Sequence, residues 1–285
     1  MPARRRRRRD QQKAATQARA GDRFVEAFRL SDAIRAYESA LAIDTRNAGV
    51  HLRLADAYFA AEMPSKAYRA YKQALLVHPK NAECHFALGE FLMGIQRARL
   101  AVSAFERAIR CDPLREYFHC RLGEAHLRLG DRERAEGSFN EAIRLAPDDA
   151  YYHYRLGDAC FRWQRWDEAE ESYSRAIDYA PLDDFYHVCL AVVHLRRGQT
   201  EQALNTFRRT VILRPRNRAY RYLLAWMLDR NGYAEDAAEA YRRAGELGPY
   251  DEDYVHRVWV KAGIEVAREP DLDWASEEDF RRPPW

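Results

Sequence analysis

Lysine is nearly missing from this chain. All but five of its 47 basic residues are arginine, and the lysines stand only at 13, 66, 72, 80 and 261. This usage reads mainly as codon bias, and it also supplies planar guanidinium groups that can grip carboxylates bidentately. Cysteine is sparse as well. Cys84, Cys111, Cys120, Cys160 and Cys189 are odd in number, and none forms a Cys-x-x-Cys pair. That argues against a disulfide framework and a zinc cage and favours a reducing compartment, with the cytoplasm as the expected location. No apolar run approaches the ~18 residues of a membrane span, and no apolar stretch follows the arginines at the start of the chain, as an export leader would require. β-Branched residues are few and no segment alternates like a half-buried strand, so the expected class is all-α. A Gly-rich phosphate loop, a His-Glu-x-x-His pair and a nucleophile with a motif-placed base are all missing. Neither a catalytic residue nor a cofactor is expected.

What is present is an ordered, charged composition: 285 residues, 47% hydrophobic and 32% charged, with a mean hydropathy of −0.65. The net charge of +3 is unevenly spread. Arg4, Arg5, Arg6, Arg7, Arg8 and Arg9 form a basic run in residues 1–13, which composition predicts to be a disordered arm. Residues 265–285 are acidic, with Asp271, Asp273, Glu277, Glu278 and Asp279 interleaved with Trp274, Phe280 and Trp285. Such a tail reads equally as a linear docking segment and as a solvated end with a few packing anchors.

Between these ends one pattern repeats every 34 residues. Pro79, Pro113, Pro147, Pro181, Pro215 and Pro249 keep the interval without a slip, with Thr45 one period earlier. Twelve residues before each stands an alanine (Ala33 through Ala237), and eight before stands an aromatic: Tyr37, Tyr71, Phe105, Phe139, Tyr173, Phe207 and Tyr241. Leu54, Leu88, Leu122, Leu156, Leu190 and Leu224 keep the same period, each followed by Ala or Gly. Mechanically, each unit is two helices and a short turn. The small residues allow close approach, the aromatic fills the gap to the next pair, and proline ends the second helix. Asn47, Asn81, Asp149, Asp183, Asn217 and Asp251 are placed to cap the next first helix. Gly130, Gly198 and Gly232 fall in the turn within a unit.

A 34-residue helix-turn-helix with these residues resembles the tetratricopeptide repeat family. The resemblance implies a right-handed α-solenoid of about seven units: 14–47, 48–81, 82–115, 116–149, 150–183, 184–217 and 218–251. The first is degenerate, and 252–264 forms a capping helix. One departure is consistent. The family's tryptophan at the fourth slot of each unit is replaced by His51, His85, His119, His153 and His187, then Arg221. Equivalent slots lie at least a helix-packing distance apart, ~8–10 Å, against zinc–nitrogen bonds of ~2 Å. The histidines therefore read as packing or hydrogen-bonding groups rather than metal ligands. The scattered cysteines read as buried thiols.

The resemblance also implies a concave groove lined by the first helices, at slots 2, 5, 9, 12 and 13 with slot 6 nearby. Slot 9 carries Asp22, Asp56, Glu90, Glu124 and Asp158, then Val192 and Trp226. Slots 2 and 5 carry Tyr117, Tyr151, Tyr154, Phe185 and Tyr222, and slots 6 and 13 carry Arg53, Arg121, Arg155, Arg128, Arg162 and Arg196. Intrahelical spacing pairs Glu124 with Arg121 and Arg128, and Asp158 with Arg155 and Arg162. That accounts for the charges and leaves the aromatics, which are typical of surfaces where another chain docks. The family's Lys/Asn carboxylate clamp is absent, since the corresponding pairs are Leu52/Asp56 and Phe86/Glu90. The expected function is a non-catalytic scaffold holding a peptide or protein segment, its basic end near Asp56 and Glu90 and its apolar end near Phe185, Tyr222 and Trp226. Three alternatives remain: a nucleic-acid or anionic-surface adaptor using the arginine run, an accessory subunit of an enzyme complex, and self-association.

Overall fold

The computed structural model describes residues 2–245, with side chains from Arg9 onward. Within these residues fourteen helices follow one another, and no strand occurs. The first helices of successive units are α1 (Pro2–Glu26), α3 (Ala48–Ala60), α5 (Ala82–Gly94), α7 (Glu116–Arg128), α9 (Ala150–Arg162), α11 (Asp184–Arg196) and α13 (Arg218–Arg230). The second helices are α2 (Leu30–Ile43), α4 (Pro64–Val77), α6 (Ala98–Cys111), α8 (Arg132–Leu145), α10 (Trp166–Tyr179), α12 (Thr200–Leu213) and α14 (Ala234–Gly245). No described helix is long and apolar enough to cross a membrane.

The helix ends follow from the residues placed there. Asn47, Asn81, Asp149, Asp183 and Asn217 each accept a backbone N–H of the first turn they precede. They satisfy a donor that the helix itself leaves without a partner. Arg115 holds the same position before α7 and makes no such bond. The turn inside each unit needs a left-handed residue. Gly130, Gly198 and Gly232 supply it with φ of 75°, 71° and 82°, but Phe28, Glu62, Gln96 and Gln164 occupy the same slot with φ of 56° to 62°. The turn is thus imposed by helix packing, and four side chains tolerate a conformation that favours glycine.

The chain divides into two compact units, one ending at Trp163 and the other beginning at Gln164. The first contains α1 to α9 and the second α10 to α14. Each is a stretch of all-α repeat solenoid whose core repeats with the sequence. Ala33, Ala67, Ala101, Ala135, Ala169 and Ala203 are fully buried, and the slot-24 rings, including Phe105, Phe139 and Tyr173, fill the space beside them. At the slot after the leucine, a Cβ on Gly89 would stand 2.4 Å from the Phe105 ring. The small residue there is a requirement of close approach.

Three expectations need correction or qualification. The arginine run does not form a disordered arm: its backbone belongs to α1, which begins at Pro2. Cys111 is exposed, unlike the buried Cys84, Cys120, Cys160 and Cys189. The expected cap at Asp251, capping helix 252–264 and tail 265–285 lie outside the described residues.

Candidate interaction groove

In the unit ending at Trp163, consecutive first helices touch one another, α3 against α5 and α7 against α9, whereas successive second helices lack comparable contact. First helices therefore occupy the inside of the curve, and their shared face forms the concave wall. The expected residues of α3, α5, α7 and α9 stand on that wall. Their partners differ from those that spacing within a helix suggests.

The slot-9 acids are all engaged. Tyr37 Oη donates to Asp22 Oδ1 at 2.8 Å, and Tyr71 donates likewise to Asp56. Both bonds tie the two helices of one repeat. In the next two repeats the slot-24 aromatics are Phe105 and Phe139, which have no hydroxyl to offer. There the acid turns to an arginine of the following repeat. Arg121 grips Glu90 bidentately, Nε–Oε1 and Nη2–Oε2 both at 2.7 Å. Arg121 Nη1 reaches Glu124 on its own helix, and Arg155 Nη2 meets Glu124 Oε1 at 2.7 Å. The result is a ladder, Glu90–Arg121–Glu124–Arg155, across α5, α7 and α9. Arg53 joins Asp22 in the same inter-repeat manner at 2.8 Å.

The ladder corrects the expected intrahelical pairing in two places. Arg128 donates to the Met93 carbonyl at 2.9 Å rather than to Glu124, and Arg155 crosses to the preceding helix. Arg121–Glu124 and Arg162–Asp158 (3.1 Å) do follow intrahelical spacing. It also alters the groove's electrostatics. Glu124 and Asp158 are each only 7% exposed, whereas Arg128 and Arg162 are exposed. Glu90 is already held by Arg121 and does not present a free acid to a basic ligand end. Burial raises its pKa against the opposing pull of Arg121. The concavity likewise raises the pKa of Asp56 by desolvation, with the Tyr71 hydrogen bond opposing.

The aromatics line the same wall. Tyr117 is 37% exposed, and Tyr151 and Tyr154 are half-buried. Phe86 on α5 packs 5.5 Å from Tyr117 and 4.7 Å from Phe118, joining the aromatic surface across the repeat seam. The Arg155 guanidinium lies 6.0 Å from the Tyr151 ring and 5.9 Å from the Tyr154 ring. In the other unit Phe185, Tyr222 and Trp226 are half-buried, with Arg218 5.4 Å from the Tyr222 ring and Arg230 5.1 Å from the Trp226 ring. Val192 at slot 9 is fully buried and so belongs to the core.

The histidine ladder has one structural use. Nε2 of His51, His85, His119, His153 and His187 bonds the carbonyl oxygen six residues earlier, on Thr45, Pro79, Pro113, Pro147 and Pro181, at 2.8–3.0 Å. Arg221 Nε does the same to Pro215 at 3.0 Å. Each slot-4 side chain thus latches the loop that ends the preceding repeat. No cluster of metal-ligating side chains occurs among the described residues.

Stacked helix pairs of constant length, joined by tight left-handed turns, define a helical-repeat solenoid. A tetratricopeptide repeat model matches residues 52–116, 120–184 and 190–252, and a second matches 24–68. The chain therefore belongs to the tetratricopeptide repeat family, whose repeats serve in general as protein-interaction scaffolds. No curated protein matches it. Among solved structures, it is similar to the C-terminal part of a repeat protein from Cytophaga hutchinsonii, with a TM-score of 0.67 at 16% identity, covering 84% of this chain and 98% of the other. It is also similar to Pseudomonas aeruginosa pilF, with a TM-score of 0.59 at 18% identity (72% and 94% covered), and to MamA, with 0.51 at 24% identity (56% and 94% covered). At these identities the likeness is one of fold.

Proposed function

We propose that the protein is a non-catalytic adaptor that binds an extended segment of a partner protein along the concave faces of its first helices. The observation that carries this reading is the row of part-exposed rings, Tyr117, Tyr151 and Tyr154, on helices whose charged neighbours are already paired. Internal pairing explains the charges, while the rings, packed in part against Phe86 and Arg155, keep some of their surface open. Rigid aromatic surface of this kind supplies most of the energy where chains dock. In the unit ending at Trp163, Asp56, Glu90, Arg121, Glu124, Arg155 and Asp158 frame the wall; in the other unit, taken by itself, Phe185, Tyr222 and Trp226 are the candidate contacts. All five cysteines are free, consistent with the cytoplasm as its place of work.

Selection from a displayed peptide library tests the reading. Tyr154→Ala should weaken ligands of the unit ending at Trp163 by more than tenfold with helicity intact, and Trp226→Ala should do the same for ligands of the other unit. His119→Ala should lower stability and leave affinity unchanged. Ligands that bind both aromatic variants as tightly as the parent would move the working surface elsewhere.

A second reading rests on α1, whose first turns carry Arg4 to Arg9 and no acid. If they contact nucleic acid or an anionic surface, neutralising about six phosphates gives a log–log salt slope of roughly −4 to −5. Serine at all six positions abolishes that binding.

A further inference from the structure

The concave wall of α7 and α9 presents two chemistries at its two ends. Tyr117 and Tyr151 stand at the second position of their units, and Arg128 and Arg162 at the thirteenth. Eleven residues of helix separate them, ~16 Å at 1.5 Å per residue. Between them the acids face inward, Glu124 and Asp158 being 7% exposed. Arg128 spends Nη1 on the Met93 carbonyl, and Arg162 spends Nε on Asp158. Both side chains remain exposed, Arg162 by 59%. The wall thus offers aromatic faces at one end and unsaturated guanidinium groups at the other, with its carboxylates withdrawn. The complementary ligand is an extended segment carrying an aromatic residue and, about five residues on, a pair of carboxylates, since five residues of extended chain span ~16 Å.

The sequence contains such a segment. Residues 270–285 hold Trp274 followed by Glu277, Glu278 and Asp279, with Asp271 and Asp273 before it. Trp274 and Asp279 are five residues apart. We infer that segment 270–285 of a second copy of this chain docks on the α7–α9 wall, Trp274 against Tyr117 and Tyr151, and Glu278 and Asp279 against Arg128 and Arg162. The inference rests on the groove reading above and names an occupant for it. Charge complementarity selects this segment: it carries five acids against Arg281 and Arg282. Such self-recognition makes the chain a head-to-tail assembler, and any partner using the same wall competes with assembly.

The test uses the full-length chain. With Trp274→Ala, Glu278→Lys and Asp279→Lys together, the chain's own segment is disabled and the wall is left open to a fluorescein-labelled peptide of residues 270–285, read by anisotropy. Saturable binding is expected. It should weaken by tenfold or more with Arg128→Ser/Arg162→Ser and with Tyr117→Ala/Tyr151→Ala, and stay unchanged with serine at Arg4 to Arg9. The unaltered chain should show concentration-dependent association in sedimentation velocity, lost in Trp274→Ala. Several results overturn the inference: no peptide binding, binding indifferent to the wall variants, binding lost with the arginine run, equal binding of a scrambled peptide, or a monomer at every concentration. A library-selected ligand that needs Tyr154 while the 270–285 peptide fails would leave the groove reading standing and remove this occupant. Failure of both removes both.

Discussion

Two kinds of seam join neighbouring repeats in the unit ending at Trp163. Between α3 and α5 the contact is aromatic. Phe91 is 2% exposed, with Phe59 5.2 Å away edge-on, Tyr71 at 5.2 Å and Tyr68 at 6.3 Å. Between α5 and α7 the arginine–glutamate ladder is added to an aromatic contact, Phe86 against Tyr117 and Phe118, and between α7 and α9 the ladder recurs. Two slots decide which form appears. Slot 6 after Asp56 is Ala87, so no guanidinium is available, and Tyr71 takes the carboxylate inside its own repeat. Where slot 24 is Phe105 or Phe139, the acid is released to bind the next repeat. Asp22 does both, taking the Tyr37 phenol within its repeat and Arg53 from the next, so it is the slot-6 arginine that decides whether an acid also stitches its repeat to the neighbour.

The comparison can be broken at either seam. Phe91→Ala should cost the most, about 4 kcal/mol, because it removes a buried ring at the centre of an apolar contact. The loss, read by urea denaturation, should be nearly independent of salt. Glu124→Ala should cost about 3 kcal/mol by leaving Arg155 without its inter-repeat carboxylate in a mostly buried setting. Hydrogen exchange should show the protection of α9 falling before that of α3. Equal loss along α1 to α9 would mean that the ladder does not act as a seam.

Tyr71→Phe should cost about 2 kcal/mol at neutral pH, because the Asp56 carboxylate loses a charge-assisted hydrogen bond. Its pH dependence has a definite sign. Burial raises the folded pKa of Asp56 above 3.8, so the folded state holds the proton longer and stability falls as pH rises through that window. Removing the phenol raises the folded value further. The cost of Tyr71→Phe should therefore be smaller at pH 4 than at pH 7, and denaturation at the two pH values would show it.

The turns give a smaller effect. Gln96 sits at φ 60° where the next repeat has Gly130. Gln96→Gly should stabilise by about 0.5 kcal/mol, relief of the left-handed conformation exceeding the added chain entropy of glycine. Smallest in structural consequence is thiol chemistry. Burial pushes Cys84 up to about 11 and Cys120 up to about 12, while Cys111 is exposed. Iodoacetamide at pH 8 should modify Cys111 in the folded chain far faster than either.

Much of this was legible in order along the chain. The helix starts at Ala48, Ala82, Glu116, Ala150, Asp184 and Arg218 keep the 34-residue period, because caps, small residues and prolines act on the backbone within a few residues of themselves. The Asp–Tyr and Glu–Phe pairing of slots 9 and 24 was also written there: Asp22 with Tyr37, Asp56 with Tyr71, Glu90 with Phe105, Glu124 with Phe139. A phenol needs an acceptor when buried, and that signal marks which acids are spoken for. The use of the slot-4 histidines was hidden for a different reason. Periodicity shows that a side chain recurs but does not show which carbonyl it faces.

By itself the sequence determined the repeat, its two helices, the alanine and aromatic core slots, and the placing of tyrosines and acids on the same helices. These follow from propensity, capping and a strict period, which are local quantities. Only the tertiary structure decided that Arg121 reaches Glu90 and Arg155 reaches Glu124, each 31 residues back. It also decided that Glu124 and Asp158 turn inward while Arg128 and Arg162 face solvent. A side-chain charge chooses its partner by distance in space, and the nearest carboxylate to an arginine on one helix can belong to the helix packed beside it.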